Sequence, residues 1–122
     1  MNIDDYKRLI NKTEDYIETN LDKRITLTDV ANNANFSEYH FHRIFSKFSN
    51  ETLKQFITRI KMERSAIYLA INSDISITEI AFQYGYSCSS SYNKVFKKHY
   101  GVSPTEFRKE QEWKRNIKQP DV

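Results

Sequence analysis

Over most of this chain the apolar residues recur at intervals of three and four, the period of helices that bury one face. The longest uninterrupted case is Thr52 to Asn72, TLKQFITRIKMERSAIYLAIN, which contains no Gly or Pro. Thr52 and Gln55 open it as a capping-box pair, each side chain placed to satisfy a backbone donor at the helix start. Leu53, Phe56, Ile57 and Ile60 share one stripe, and Ile67 and Ile71 return to it. Met62, Ala66 and Leu69 form a second stripe on the opposite side. A helix with two apolar faces has two packing partners, so this segment is expected to join two small units.

The flanks supply both. Ile3, Tyr6, Ile10, Thr13 and Ile17 keep a helical spacing, widened by Leu9 and Tyr16, and Asn20 marks a stop. Thr26 with Asp29 reads as a further capping box ahead of a short apolar face of Leu27, Val30 and Ala31. Asn35 suits the left-handed turn that ends such a helix. Ser37 then caps another helix, in which Phe41, Ile44, Phe45 and Phe48 form the stripe.

After the central helix the same text returns at residues 76 to 107. Thr26 pairs with Ser76, Leu27 with Ile77, Asp29 with Glu79, Val30 with Ile80, Ala31 with Ala81, Asn35 with Gly85 and Phe36 with Tyr86. With one residue inserted, Phe41 pairs with Tyr92, Arg43 with Lys94, Ile44 with Val95, Phe45 with Phe96, Asn50 with Gly101, Thr52 with Ser103 and Phe56 with Phe107. At both turn positions, Asn35/Gly85 and Asn50/Gly101, the two copies use the residues that best tolerate positive φ. Ser103 with Glu106, and Pro104 between them, opens a last helix as Thr52 and Gln55 open the central one. Each copy is a short helix, a tight turn and a longer helix, the plan of a helix-turn-helix. The expected fold is therefore all-α: two homeodomain-like three-helix units, residues 1–51 and 74–118, joined by a linker helix over 52–73, with a tail at 119–122.

Composition agrees with a helical class. Two Gly and two Pro leave little turn chemistry for a β fold, and 39% hydrophobic with 14% aromatic residues is ample for helical cores in 122 residues. The net charge of +3 is unevenly spread: residues 1–35 hold five Lys/Arg against seven Asp/Glu, and residues 36–122 hold fourteen against nine. The later part offers a basic surface to an acidic partner such as nucleic acid. A single cysteine, Cys88, excludes an internal disulfide and a cysteine-rich zinc site. No apolar run approaches membrane-spanning length and the N-terminus lacks the plan of a signal peptide, so a cytoplasmic protein is expected.

The candidate chemistry is nucleic-acid recognition. In a helix-turn-helix the second helix enters the major groove, here residues of about 37–48 and 88–99. At about 100° per residue, Tyr39, His42, Arg43 and Ser46 fall opposite the first core stripe. Arg can bond a guanine edge twice, His can donate or accept, and Tyr offers a hydroxyl and a flat surface. In the second copy Tyr92, Val95 and Phe96 point inward, so Ser90, Ser91, Lys94 and Lys97 point out, with Asn93 at the flank. No acid occurs from Gly85 through Val102, so nothing there repels phosphate. Catalysis finds no footing. His40 and His42 diverge by about 200° on a helix and cannot chelate one metal as an i, i+4 pair would. His40 is expected to be semi-buried and hydrogen-bonded, and Cys88 to be an unreactive packing residue. No cofactor, metal or catalytic residue is assigned.

Over about Ile10 to Arg108 the chain resembles the DNA-binding region of the AraC/XylS family of bacterial transcription regulators. Its signature stretch reads ISITEIAFQYGYSCSSSYNKVFKKHYGVSPTEFR, with Ile80, Ala81, Gly85, Tyr86, Ser90, Phe96, Lys97, Gly101, Pro104 and Arg108 in place. The resemblance implies a monomer whose two recognition helices enter successive major-groove segments on one side of double-stranded DNA. It implies Tyr39, His42 and Arg43 as contacts of the first helix, and Ser90, Ser91, Asn93 and Lys94 of the second. It also implies activation of transcription by touching RNA polymerase. Lys94 stands where the family usually has Arg, which favours a phosphate role, and Ser91 where an aromatic often stands. Most members carry an effector domain as well. This chain is thus expected to be either a stand-alone activator or the N-terminal DNA-binding fragment of a longer ligand-responsive regulator. A protein-interaction adaptor of the transcription machinery is the competing class, prompted by the acidic first helix with Asp4, Asp5, Glu14, Asp15 and Glu18. The central helix, about 30 Å long at 1.5 Å per residue, would hold two readers near the one-turn spacing of DNA.

Overall fold

The structure is a computed structural model that describes residues 2–118; the expected tail, 119–122, lies outside the described residues. Among these residues there are seven α-helices and no strand: α1 (Ile3–Thr19), α2 (Leu27–Asn33), α3 (Glu38–Phe48), α4 (Leu53–Ile71), α5 (Ile77–Gln83), α6 (Ser89–Tyr100) and α7 (Pro104–Lys118). The chain divides into two compact units, Met1–Lys61 and Met62–Val122, so the division falls inside α4. Each unit is a helix-turn-helix with flanking helices.

The caps explain where the helices begin. Asn2 and Asp5 form a reciprocal capping box at α1, as Thr26 and Asp29 do at α2. At α4 the Gln55 amide donates to Thr52 Oγ1 at 3.1 Å and the Thr52 amide to Gln55 Oε1 at 2.9 Å. Ser37, Ser76 and Ser103 each accept from the amide three residues on, at 3.1 Å.

The turns within the two helix pairs are the same motif. After α2, Asn35 is left-handed at φ 62°, and after α5, Gly85 at φ 87°. In the first unit the Phe36 amide reaches back to Ala31 O at 2.9 Å and the Asn35 amide to Asn32 O at 3.1 Å. In the second, Tyr86 bonds Ala81 O at 2.9 Å and Gly85 bonds Phe82 O at 3.1 Å. This crossed pair is a Schellman ending, which satisfies the last helical carbonyls while it turns the chain. The expected second match, Asn50 with Gly101, does not hold. Gly101 ends α6 at φ 80°, but Asn35 is the non-glycine with positive φ among the described residues, and α3 ends on an extended Ser49. The Ser49 hydroxyl takes over the turn, donating to Glu51 O at 3.0 Å and accepting from the Glu51 amide at 3.2 Å.

In the first unit Leu9 and Ile17 of α1, Val30 and Ala31 of α2, Phe41, Ile44 and Phe45 of α3, and Phe56, Ile57 and Ile60 of α4 form one core. Phe45 meets Phe56 edge-on with centroids 5.8 Å apart at 73°. The second unit repeats this: Ile80, Ala81, Tyr92 and Phe96 are buried, and Phe96 meets Phe107 at 5.5 Å and 73°. From α4 the second unit takes Met62, Ala66 and Leu69 as expected, together with a buried Ser65. Ile67 and Ile71, expected on the first stripe, are instead 51% and 68% exposed. Beyond Lys61 the helix packs with its opposite face, so the first stripe runs out into solvent there.

Three polar residues become part of these interiors. Thr13 is buried and donates to Leu9 O at 2.7 Å. Lys61 Nζ donates to Lys23 O at 2.8 Å, and burial holds its pKa below the usual lysine value against the pull of Asp22. Tyr92 donates its buried hydroxyl to Ser65 Oγ at 2.8 Å, and Ser65 donates on to Met62 O at 3.0 Å. Arg108, one of the signature positions, clamps α7 by donating to Leu69 O at 3.3 Å and Asn72 O at 3.1 Å near the end of α4.

Tyr92 and Ser65 therefore act as a pair. Ser65→Ala leaves a buried phenol without an acceptor and is expected to cost about 1–3 kcal/mol, whereas Tyr92→Phe removes the donor itself and costs about 1 kcal/mol. The double variant should be more stable than the sum of the two losses, read by denaturant unfolding in a double-mutant cycle. Additive losses would refute the coupling.

Candidate nucleic-acid interface

Because Phe41, Ile44 and Phe45 are buried, the rotation of α3 about its axis is fixed and the opposite face is left to solvent. Tyr39, His42, Arg43 and Ser46 all lie exposed, Tyr39 to 68%. The Arg43 guanidinium stands over the Tyr39 ring, 5.6 Å from its centroid, an i, i+4 cation–π pair that limits the freedom of both side chains. His42 Nε2 lies 3.5 Å from Ser46 Oγ, one turn on. At the leading end of α3 the Thr28 hydroxyl of α2 donates to the Glu38 carboxylate. This link between the two helices escaped the sequence reading, because an acid at the first position of a helix is accounted for by the helix dipole alone.

On α6, Tyr92 and Phe96 are buried and Val95 half-buried, and Ser90, Ser91, Lys94 and Lys97 are exposed. Asn93 differs: it is half-buried, and its Oδ1 is enclosed without a hydrogen-bond partner. With Lys98 and His99, Lys97 makes the last turn of α6 basic, where cations are favoured by the helix dipole.

Two expectations about reactive side chains are corrected. His40 is exposed rather than semi-buried, because α3 is rotated to bury Phe41, Ile44 and Phe45 and position 40 falls to the side of that stripe. Cys88 is likewise exposed rather than packed: the extra residue in the second turn makes it the N-cap of α6. Its Sγ lies 3.1 Å from Ser90 Oγ and 3.3 Å from Ser91 Oγ, and these hydroxyls, with the Ser91 and Ser90 amides adding to them, hold the thiol down to about 7. Among the described residues no three His, Cys, Asp or Glu side chains gather to hold a metal ion, and no helix is long and apolar enough to cross a membrane.

Two helix-turn-helix units in one chain, each with a polar face on its second helix, are matched by a helix-turn-helix family model over residues 30–110. The probable transcription factor PqrA of Proteus vulgaris is 31% identical over 84% of this chain and 84% of its own length. The chain belongs to the AraC/XylS family of DNA-binding transcription regulators. The Msm operon regulatory protein of Streptococcus mutans is 35% identical over 85% of this chain but only 37% of its own length, so the chain spans little more than a third of that relative. The AraC-type fold is shared by the DNA-binding domain of AdpA, solved in complex with a target DNA, with a TM-score of 0.72 at 22% identity over 89% of this chain and 96% of that one.

The cap position of Cys88 has a measurable consequence within this AraC/XylS fold. Its carboxymethylation by iodoacetate should rise with pH through a midpoint near 7, below the unperturbed thiol value of 9.0. Ser90→Ala should move that midpoint upward, since the thiolate loses its strongest hydrogen bond. A midpoint near the unperturbed value in the unaltered protein would overturn the assignment.

Proposed function

We propose that this chain reads duplex DNA sequence-specifically as a monomer, α3 and α6 each entering a major-groove segment, and that it serves to activate transcription in the cytoplasm by engaging RNA polymerase. The observation that carries this reading is the repetition: the same Schellman turn and aromatic contact occur twice, each setting an exposed polar face on the following helix. Two half-sites read by one chain need no dimer. AdpA, whose DNA-binding domain has the same fold and was solved with a target DNA, supports DNA as the partner. The function is recognition, with no catalytic step.

The residues divide by role. Arg43, steadied over Tyr39, and His42 read base edges in the first half-site. Ser90, Ser91 and Asn93 make the lighter contacts of the second, with the Asn93 amide turning outward on binding. Lys94 and Lys97 bind phosphate. The division into 1–51, 52–73 and 74–118 then corresponds to reader, connector and reader.

Selection of bound sequences from a random duplex pool, followed by titration of the recovered duplex against random DNA at physiological salt, tests the proposal. Equal affinity for both would refute it. Arg43→Ala should cost about 1–3 kcal/mol and relax selectivity at one base pair, whereas Lys97→Ala should weaken all duplexes alike and lower the salt slope by about one.

A further inference from the structure

The first recognition helix opens with an acid. Glu38 is the first residue of α3, one turn before His42, and among the described residues it forms no ion pair. Its carboxylate accepts from the hydroxyl of Thr28, which lies in the first turn of α2. Both residues are exposed, so the bond is made at the surface where the two helices of the motif begin. The second unit has nothing equivalent. Thr78 matches Thr28, but Ser89 stands where Glu38 does, and no acid occurs from Gly85 through Val102.

A carboxylate carried toward a polyanion weakens binding unless it meets a hydrogen-bond donor. An ionised carboxylate accepts and cannot donate. In the major groove the base edges that donate are the exocyclic amines of cytosine and adenine; guanine offers O6 and N7, and thymine O4, all acceptors. Adenine places its N7 acceptor beside its amine, so cytosine suits a carboxylate best. A free glutamate could swing away from an unsuitable base. Glu38 is restrained by Thr28, and the restraint turns a general repulsion into a positional test.

We infer that Glu38, positioned by Thr28, is a specificity-determining residue of the first unit that selects a cytosine in the contacted strand and rejects guanine and thymine there. The inference rests on the proposed DNA reading. Its measurement is the affinity of the whole chain for the duplex recovered by selection, with each base pair of the first half-site varied in turn.

The unaltered protein should prefer cytosine at one position by about tenfold over guanine or thymine. Glu38→Ala should erase that preference, leave the others in place and tighten binding to random duplex. Glu38→Gln should move the preference toward adenine, whose N6 and N7 suit an amide. Thr28→Val should weaken the same preference, and Thr28→Ser should restore it. Circular dichroism keeps folding separate from recognition. If Glu38→Ala strengthened every duplex by one common factor, or left the cytosine preference intact, the inference would fail and the wider proposal would stand. An unaltered protein without preference at any position would overturn both.

Discussion

At Asn35 and Gly85 the backbone enters the left-handed region, and the next amide is thereby aimed back at the carbonyl of Ala31 or Ala81. Everything that faces outward depends on this. The crossed bonds end the first helix of each pair without an orphan carbonyl and fix the direction in which the chain departs. Phe36 and Tyr86, the residues that follow, are half-buried, so the turn is held by packing as well as by hydrogen bonds. A residue with a branched Cβ at the left-handed position would oppose that conformation. The departing helix would then present a different arc to solvent.

Direction alone does not define which face of a helix is exposed; rotation about the helix axis must also be fixed. The edge-on contacts Phe45 with Phe56 and Phe96 with Phe107, both at 73°, do this in each unit. Buried rings on one side of α3 and α6 leave Tyr39, His42 and Arg43, or Ser90, Ser91, Lys94 and Lys97, on the other. The repeated frame carries unlike faces. The first has long side chains held by one another, Arg43 over Tyr39 and Glu38 against Thr28. The second has small hydroxyls and a basic last turn. One frame thus carries a face of long side chains held in place and a face of small hydroxyls and cations.

The fold was legible because periodicity and caps are local signals. Thr26, Ser37, Thr52, Ser76 and Ser103 all cap where their spacing from the apolar stripes predicts. The exposure of Tyr39, His42, Arg43, Ser90, Ser91, Lys94 and Lys97 follows from the same periodicity. What was not legible depends on partners distant in sequence or on competing local chemistry. Asn50 and Gly101 look equivalent, but the Ser49 side chain satisfies the first turn in another way. Ile67 and Ile71 continue a stripe in sequence, yet the helix has already changed the face it buries. The inserted residue before α6 gave Cys88 the cap position that a serine holds in the other copy. Period counting carries no information about hydrogen bonds between elements, so Thr28 with Glu38 and Tyr92 with Ser65 were invisible to it.

The central helix shows why such bonds matter. Its first half belongs to one unit and its second half to the other. An uninterrupted apolar surface around the changeover would tolerate several rotations and registers, because hydrophobic contact has no direction. Instead the buried surface includes Lys61 and Ser65, on either side of the division. Lys61 must reach the Lys23 carbonyl within the first unit, and Ser65 must meet the Tyr92 hydroxyl within the second. Each bond is satisfied over a narrow range of geometry, and a shift of the helix against either core would strand a buried polar group at a cost of about 1–3 kcal/mol, more for the charged one. Burial depresses the Lys61 pKa, so that ammonium is held in place against its own desolvation. The polar residues thus add less to net stability than to register: they restrict each unit to the packing of α4 in which its own bond is made, and with it the orientation of the exposed polar face that unit supports.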